Sequence, residues 1–459
     1  MSKRQPASNE DAGDARDGAA AAAAATPSRK PPQRDGSSTT RPTNGPRGNN
    51  NRGSDNTGAI VVSLLLGAAA IVATYWATTG ITRTRPAPPN ATLRDVAHQL
   101  LQPSKGILAA DESPGTFGKR LAEGVPNTLA VRREWRHTLL TTPGLEEFIS
   151  GVILHEETFI HGEADVKAAV GRGMVVGIKL DKGTVPMPPK KAGEVITKGL
   201  EGLAQRCERF RNRGGALFAK WRAVFRVGPH TPSRGAIRRN ADDLAAFAAA
   251  AQGCGLLPLL EPEVLAEGDH DLHRAAAAAS RVLRGVFRAL RGRADVDPGA
   301  VLLKVAFVTP GQQATEQAEP AQVANATLRV LLRNVPRVVP GIVFLSGGQS
   351  EEAATANLLA ISRLAREREQ AGKAPLPWAL SFSFGRALQG SALEAWQRGE
   401  LKAAQAAVKK RARENAQAQQ GRQVKAPKQQ QRAAVSAAPE GLAGSSGSGR
   451  GGGDDGGGK

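Results

Sequence analysis

The sequence predicts a (β/α)8 barrel set between polar tails, and three observations carry that expectation. Eight short apolar runs recur from Leu93 onward, longer stretches with helical spacing separate most of them, and charged or hydroxyl side chains gather at the C-terminal ends of the runs. The runs are GILAAD (106–111), GVILHE (151–156), VVGIKL (175–180), ALFAKWR (216–222), LLPLLEPE (256–263), VLLKVA (301–306), GIVFLSG (341–347) and WALSFSFG (378–385). Continuous apolar strands, rather than alternating ones, belong to a parallel sheet covered on both faces. The intervening GEVITKGLEGLAQRCERFRNR (193–213) and EEAATANLLAISRLAREREQ (351–370) read as covering helices. Eight such units over roughly 330 residues suit a closed barrel in number and length. A doubly wound open sheet fits less well, because no Gly-rich dinucleotide fingerprint follows the first run.

Outside this 90–422 region the composition changes. Residues 1–57 form a low-complexity polar segment with an alanine run, Ala19–Ala25, and no apolar periodicity, which predicts disorder. Its acids, Glu10, Asp11, Asp14, Asp17, Asp35 and Asp55, argue against a mitochondrial transit peptide. Within 58–80 the uncharged AIVVSLLLGAAAIVATYWA (59–77) would extend roughly 28 Å as a helix, close to a bilayer's hydrocarbon core. With Tyr75 and Trp76 at one end, it predicts a transmembrane or signal-anchor helix tethering the barrel to a membrane. A buried helix, or a targeting segment whose cleavage leaves a soluble chain, is the alternative. Residues 423–459, ending GSSGSGRGGGDDGGGK, read as a flexible tail.

Lys and Arg number 62 against 42 Asp and Glu, a net charge of +20, but only 4% of residues are aromatic and able to stack bases, so nucleic-acid binding is not expected. The two cysteines, Cys207 and Cys254, sit in unrelated sequence contexts. They support neither a disulfide framework nor a cysteine-type zinc site, and suit a reducing compartment.

The polar residues at the strand ends are Asp111, Lys179, Lys220 with Arg222, Glu261 with Glu263, Lys304, Ser346 and Arg386. In a barrel these ends converge on one face. A single charge there has an ordinary structural explanation; seven strands carrying them together predict a site. Lys304 stands out, set among Val301, Leu302, Leu303, Val305, Phe307 and Val308, where a lysine is rarely buried uncompensated. Three lysines in a low-dielectric pocket repel one another, which predicts a depressed pKa for at least one and hence an amine nucleophile. An amine attacking a carbonyl yields a Schiff base, an electron sink for breaking or making the adjacent carbon–carbon bond, with Glu261 and Glu263 available for proton transfer. The turn LSGGQS (345–350), together with Arg386, matches the usual phosphate site of a barrel. The expected substrate is a phosphorylated carbonyl compound.

GILAADESPGTFGKRL, GIKLDKG, FAKWR, LEPEVLAEGDHDL, LLK, FLSGGQSEEAA and SFGRALQGSAL, in this order, resemble the successive motifs of the class I fructose-bisphosphate aldolases, a TIM-barrel family, from about Leu93 to Gly421. The resemblance implies a homo-tetramer that reversibly cleaves fructose 1,6-bisphosphate to dihydroxyacetone phosphate and glyceraldehyde 3-phosphate in the cytosol or plastid. It implies neither metal nor other cofactor. Lys304 would carry the Schiff base. Glu261 would be the main acid/base, supported by Glu263 and Lys220, and Asp111 would orient and deprotonate the substrate hydroxyl. Ser346, Gly347, Gly385 and Arg386 would hold one phosphate, and Lys179, Arg222, Thr116 and Arg120 would line the path to the other.

Several positions depart from the family pattern. Val305-Ala306-Phe307 replaces Pro-Asn-Met after the lysine, Leu217 stands where an aspartate commonly precedes FAKWR, and Phe384 replaces the tyrosine of SYGRAL. The tyrosine with which many members end has no counterpart here, the only tyrosine being Tyr75. By the resemblance this implies slow protonation of the enamine, and it leaves a sugar-phosphate-binding scaffold of low turnover as the alternative. The cluster GDHDLH (268–273) is weighed as a metal site, but its spacing suits a helix cap better. His155, beside Glu156 and Glu157, reads as hydrogen-bonding support.

Overall fold

A computed structural model describes residues 92–188 and 193–422. The segments read from sequence as disordered (1–57), membrane-spanning (59–77) and flexible (423–459) lie outside the described residues. Among the described residues no helix is long and apolar enough to cross a membrane.

Helix α1 (Leu93–Leu100) leads into β1 (Gly106–Ala110), followed by α2 (Pro114–Gly118), α3 (Leu129–Leu140), β2 (Ile149–Leu154), α4 (Glu156–His161), α5 (Glu163–Gly171) and β3 (Val175–Lys179). A short antiparallel pair, β4 (Thr184–Pro186) and β5 (Val195–Thr197), precedes α6 (Leu203–Asn212), β6 (Phe218–Phe225), α7 (Arg234–Gly253) and β7 (Leu257–Val264). Then come α8 (Leu272–Arg291), β8 (Leu302–Ala306), α9 (Pro320–Asn334) and β9 (Gly341–Leu345). The last elements are α10 (Glu351–Gln370), β10 (Ala379–Phe384), α11 (Arg386–Gln397) and α12 (Leu401–Gln419).

All eight expected apolar runs form strands, closing in the order β1-β10-β9-β8-β7-β6-β3-β2 with every neighbour parallel. Burial on both faces explains their continuous hydrophobicity: the outer face packs under the helices and the inner face fills the barrel. Ile107, Ile153, Val175, Phe218, Leu259, Leu302 and Val343 fill the interior, and Val96, Ala97 and Leu100 of α1 pack into the same cluster. Gly151 and Gly177 give these side chains room. A Cβ on Gly151 would lie 2.4 Å from Leu100, and one on Gly177 2.3 Å from the Phe218 ring. The capping box of Thr92 and Asp95 starts α1, satisfying backbone donors that would otherwise be orphaned.

One expectation needs correction. Residues 193–213 do not form one helix: β-branched Val195, Ile196 and Thr197 pair with β4, Gly199 (φ +118°) and Gly202 (φ +59°) turn the chain, and only Leu203–Asn212 is helical. Cys207 and Cys254 are far apart in sequence but neighbours in space. Cys254 Sγ lies 3.7 Å from the Ala204 carbonyl oxygen, one turn before Cys207 on α6, and both thiols are free. Burial first, and then Cys254, push the Cys207 thiol up to about 12.

The motif departures also acquire a physical account. Phe307 stacks on Phe344 of β9 with ring centroids 4.3 Å apart, and Phe384 is fully buried beside Phe382, so apolar packing occupies these positions. In GDHDLH, Asp271 caps α8, its carboxylate accepting the Arg274 N–H at 2.7 Å.

Candidate active site

Strand register sets the heights of the polar side chains. Arg222 of β6 stands level with Glu261 of β7, and Val224 with Glu263. The pairing Leu259–Leu302 and Leu260–Leu303 between β7 and β8, continued by one residue, sets Lys304 level with Glu261. Lys304 is in turn level with Val343 of β9, three residues before Ser346. Side chains alternate along a strand, so Lys220 with Arg222, and Glu261 with Glu263, share a face.

Four of these side chains meet. Lys304 Nζ lies 3.1 Å from Glu261 Oε1, while Lys220 Nζ lies 2.9 Å from Glu261 Oε2 and 2.8 Å from Asp111 Oδ2. The result is a buried chain of alternating charge, Asp111–Lys220–Glu261–Lys304, no side chain of which is more than 10% exposed. Burial alone would raise the Asp111 carboxyl, but Lys220 and then Lys304 outweigh it and hold the group at about 2. Glu261 is likewise held below the usual carboxylate range: burial opposes ionisation, and Lys220, Lys304 and Arg222 overcome it. Glu261 thus faces Lys304 with one carboxylate oxygen and Lys220 with the other.

The lysines do not crowd one another as the sequence suggested. Burial works against the Lys220 ammonium, yet Asp111 and Glu261 on either side raise its pKa above the ordinary lysine value. Lys179 pairs with Asp181, donating also to its carbonyl oxygen at 2.7 Å. Carboxylates interleave the cations, so repulsion among ammonium groups is not what distinguishes this pocket.

The two expected phosphate sets differ in state. Gly347 (φ +52°) and Gly348 (φ +85°) form the turn after β9 in a backbone conformation that favours glycine. Gly385 opens α11 with no side-chain cap, and Arg386 is exposed without an ion-pair partner among the described residues. A Cβ on Gly348 would sit 3.5 Å from Arg386 Nη2, so the two loops adjoin. Ser346 is buried beside this turn. In the other set each cation has its own acid: Arg120 pairs with Glu112, Lys179 with Asp181 and Arg222 with Glu263. Thr116 is exposed, its hydroxyl 3.0 Å from that of Ser113. These four residues are not brought into mutual contact, and Glu263 is committed to Arg222 rather than to either catalytic-face lysine.

This geometry accords with the comparisons. The model of the family described as fructose-bisphosphate aldolase class-I matches residues 92–439. The chain belongs to that family. It is 46% identical over 337 residues, 72% of this chain and 90% of the relative, to the muscle-type fructose-bisphosphate aldolase of Lethenteron camtschaticum. It is 47% identical over 326 residues, 70% of this chain and 88% of the relative, to the cytosolic fructose-bisphosphate aldolase 6 of Arabidopsis thaliana. Among solved structures it resembles the Plasmodium falciparum fructose-bisphosphate aldolase, solved in complex with TRAP and a small-molecule inhibitor. There the TM-score is 0.69 and the identity 39%, covering 75% of this chain and 99% of that one.

Within this aldolase barrel, residues that sequence reasoning passed over organise the named ones. Asp181 accepts from Lys179 with Oδ1 and from the Arg222 N–H with Oδ2 at 3.3 Å. Glu112 holds Arg120, and its own carboxyl is pushed upward, by burial first. The available signal was the acid two residues after Lys179 in GIKLDKG and the one directly after Asp111 in ADES. His155 caps α4, its Nδ1 accepting the Glu157 N–H at 3.2 Å; burial, then Arg136 and Lys179, keep the imidazole below its ordinary pKa.

Proposed function

We infer that the chain reversibly cleaves fructose 1,6-bisphosphate into dihydroxyacetone phosphate and glyceraldehyde 3-phosphate through a Schiff base on Lys304. The buried chain Asp111–Lys220–Glu261–Lys304 carries this reading. Lys304 passes a proton to Glu261, 3.1 Å away, and its free amine adds to the ketone at C2, the nitrogen then yielding a proton to the oxygen to give the carbinolamine. Glu261 then protonates the departing carbinolamine hydroxyl, leaving the iminium. Asp111 takes the C4 hydroxyl proton; the C3–C4 bond breaks, its electron pair flows into the iminium, and the aldehyde leaves. Protonation of the enamine at C3 and hydrolysis release dihydroxyacetone phosphate. Lys220 keeps Asp111 and Glu261 ionised between these transfers. No metal or organic cofactor enters these steps.

The C1 phosphate lies close in the substrate to the carbon bound to Lys304, so it belongs with Ser346, Gly347, Gly385 and Arg386 on the neighbouring β9 and β10 loops. The C6 phosphate then falls to Lys179, Arg222, Thr116 and Arg120. A reducing compartment, cytosolic or plastid, agrees with two free thiols and with the cytosolic Arabidopsis relatives. A tetramer and a tether through residues 59–77 complete the proposal, tested by light scattering and by carbonate extraction of membranes. The central test is borohydride reduction with dihydroxyacetone phosphate: a stable adduct is expected on Lys304, and labelling of Lys220 or Lys179 instead would overturn the assignment.

A further inference from the structure

A second charged feature lies away from the barrel mouth. Between α7 and α8 runs a groove of about 1140 Å³ that also reaches the end of α9. Helix α8 carries Arg281, Arg284, Arg288 and Arg291 at spacings of three, four and three, and no Asp or Glu in its length. At ~100° per residue these four fall within roughly 80° of one another, a single stripe about 15 Å long. Arg234 and Arg238 on α7 form the opposite bank. All six are exposed, and none has an ion-pair partner among the described residues. Asp242 is the sole acid among the described residues lining the groove.

Folding gives no reason for this arrangement, since like charges three and four residues apart weaken a helix. The helices meet closely beneath the stripe: a Cβ on Gly285 would lie 2.5 Å from Ile237. Small residues, Ala241, Gly285 and Ala289, line the floor.

We propose that this groove binds an acidic helical polypeptide segment, with carboxylates spaced to match the arginine stripe. Three observations select that occupant. Each of these cations is an arginine, whose planar fork takes a carboxylate through two parallel hydrogen bonds. Phe287, the groove's aromatic residue, is 2% exposed, so bases find no stacking platform. The surface is concave with a small-residue floor, which admits a helix between its banks, whereas a flat lipid surface would touch only the rims.

The test uses the full chain and a fluorescent helical peptide of about 15 residues with glutamates at the same three-four-three spacing. Its glutamine counterpart, a short duplex DNA and phosphatidylserine vesicles are run beside it. The acidic peptide is expected to bind, and to weaken about tenfold between ~50 and ~300 mM salt. The variant Arg281→Gln/Arg284→Gln/Arg288→Gln should weaken it about tenfold or more while leaving fructose 1,6-bisphosphate cleavage unchanged. Equal binding of the glutamine peptide, tighter binding of DNA or vesicles, or an unaffected triple variant overturns the proposal. So does a fall in the oligomeric mass of the triple variant, which would assign the face to a second copy of the chain.

Discussion

Lys304 Nζ lies 3.1 Å from Glu261 Oε1 with both side chains no more than 5% exposed, a separation that a proton could cross directly in the mechanism proposed. Glu261→Gln keeps the shape and removes the acceptor. Loss of a positioned acid/base typically costs about 10²–10⁴-fold, and kcat is expected to fall within that range. Borohydride trapping at Lys304 should slow in parallel, because carbinolamine formation and dehydration depend on the same group. A variant that turns over normally would remove Glu261 from the mechanism.

Lys220 separates two buried acids, and Lys220→Met tests what it does for them. Breaking a buried ion pair from one side typically costs about 3–5 kcal/mol, because the remaining charges lose their partner. The pH dependence has a definite sign. The native Asp111 carboxyl, at about 2, lies below its ordinary 3.8, so the stability it adds is complete above its ordinary value and is lost as pH falls toward 2. The Lys220 pKa is raised above 10.5, so its contribution is present below that value and lost only as pH climbs through the higher native one. Melting temperatures should therefore show the variant well below the parent at neutral pH and the gap narrowing as pH falls through the Asp111 range, because the variant no longer carries this acid-labile stabilisation. A gap that stays constant down to acid pH would contradict the assigned pairing.

What the sequence reveals and conceals follows from these contacts. The barrel was legible because parallel strands buried on both faces must be continuously apolar, and a charge inside such a run, as at Lys304 or Glu261, stands out. Which acid serves which base was not legible. Glu261 and Glu263 look equivalent in LEPEV, yet in the fold one meets Lys304 and Lys220 while the other, two residues further along β7, pairs with Arg222. Crowded lysines suggested mutual repulsion because the fold decides the pairing that separates them, Asp111 from the end of β1 against Lys220 and Asp181 just past β3 against Lys179. The 193–213 stretch misled because helical spacing in its second half masked three β-branched residues that pair across a hairpin.

Arg386 has no ion-pair partner among the described residues and sits beside the Gly347–Gly348 turn, so the phosphate contact proposed for it would break no ion pair within the protein. Charge-assisted hydrogen bonds contribute about 1.5–3 kcal/mol, and Arg386→Ala is expected to lower kcat/KM roughly 10–150-fold. The loss should be similar for fructose 1-phosphate and fructose 1,6-bisphosphate, since both present the C1 phosphate. Arg386→Lys should recover only part, lacking the bidentate fork. An effect confined to the bisphosphate would reverse the assignment of the two phosphate sets.

Asp181 supplies the opposite case. It holds Lys179 through one carboxylate oxygen and the Arg222 backbone through the other, and no ion pair links it to Lys304 or Glu261. Asp181→Asn releases the Lys179 ammonium and loosens the strand position of Arg222, both assigned to the C6 phosphate. Fructose 1,6-bisphosphate should therefore show a KM raised about tenfold, the scale of one charge-assisted contact, with kcat nearly unchanged. Fructose 1-phosphate, which has no C6 phosphate, should be cleaved as before, and borohydride trapping of dihydroxyacetone phosphate on Lys304 should keep its rate. Equal losses on both ketoses would mean that Asp181 supports the chemistry at Lys220 through its charge rather than positioning the distal cations. Rescue by Asp181→Glu on the bisphosphate alone would favour positioning, because the longer acid can still reach Lys179.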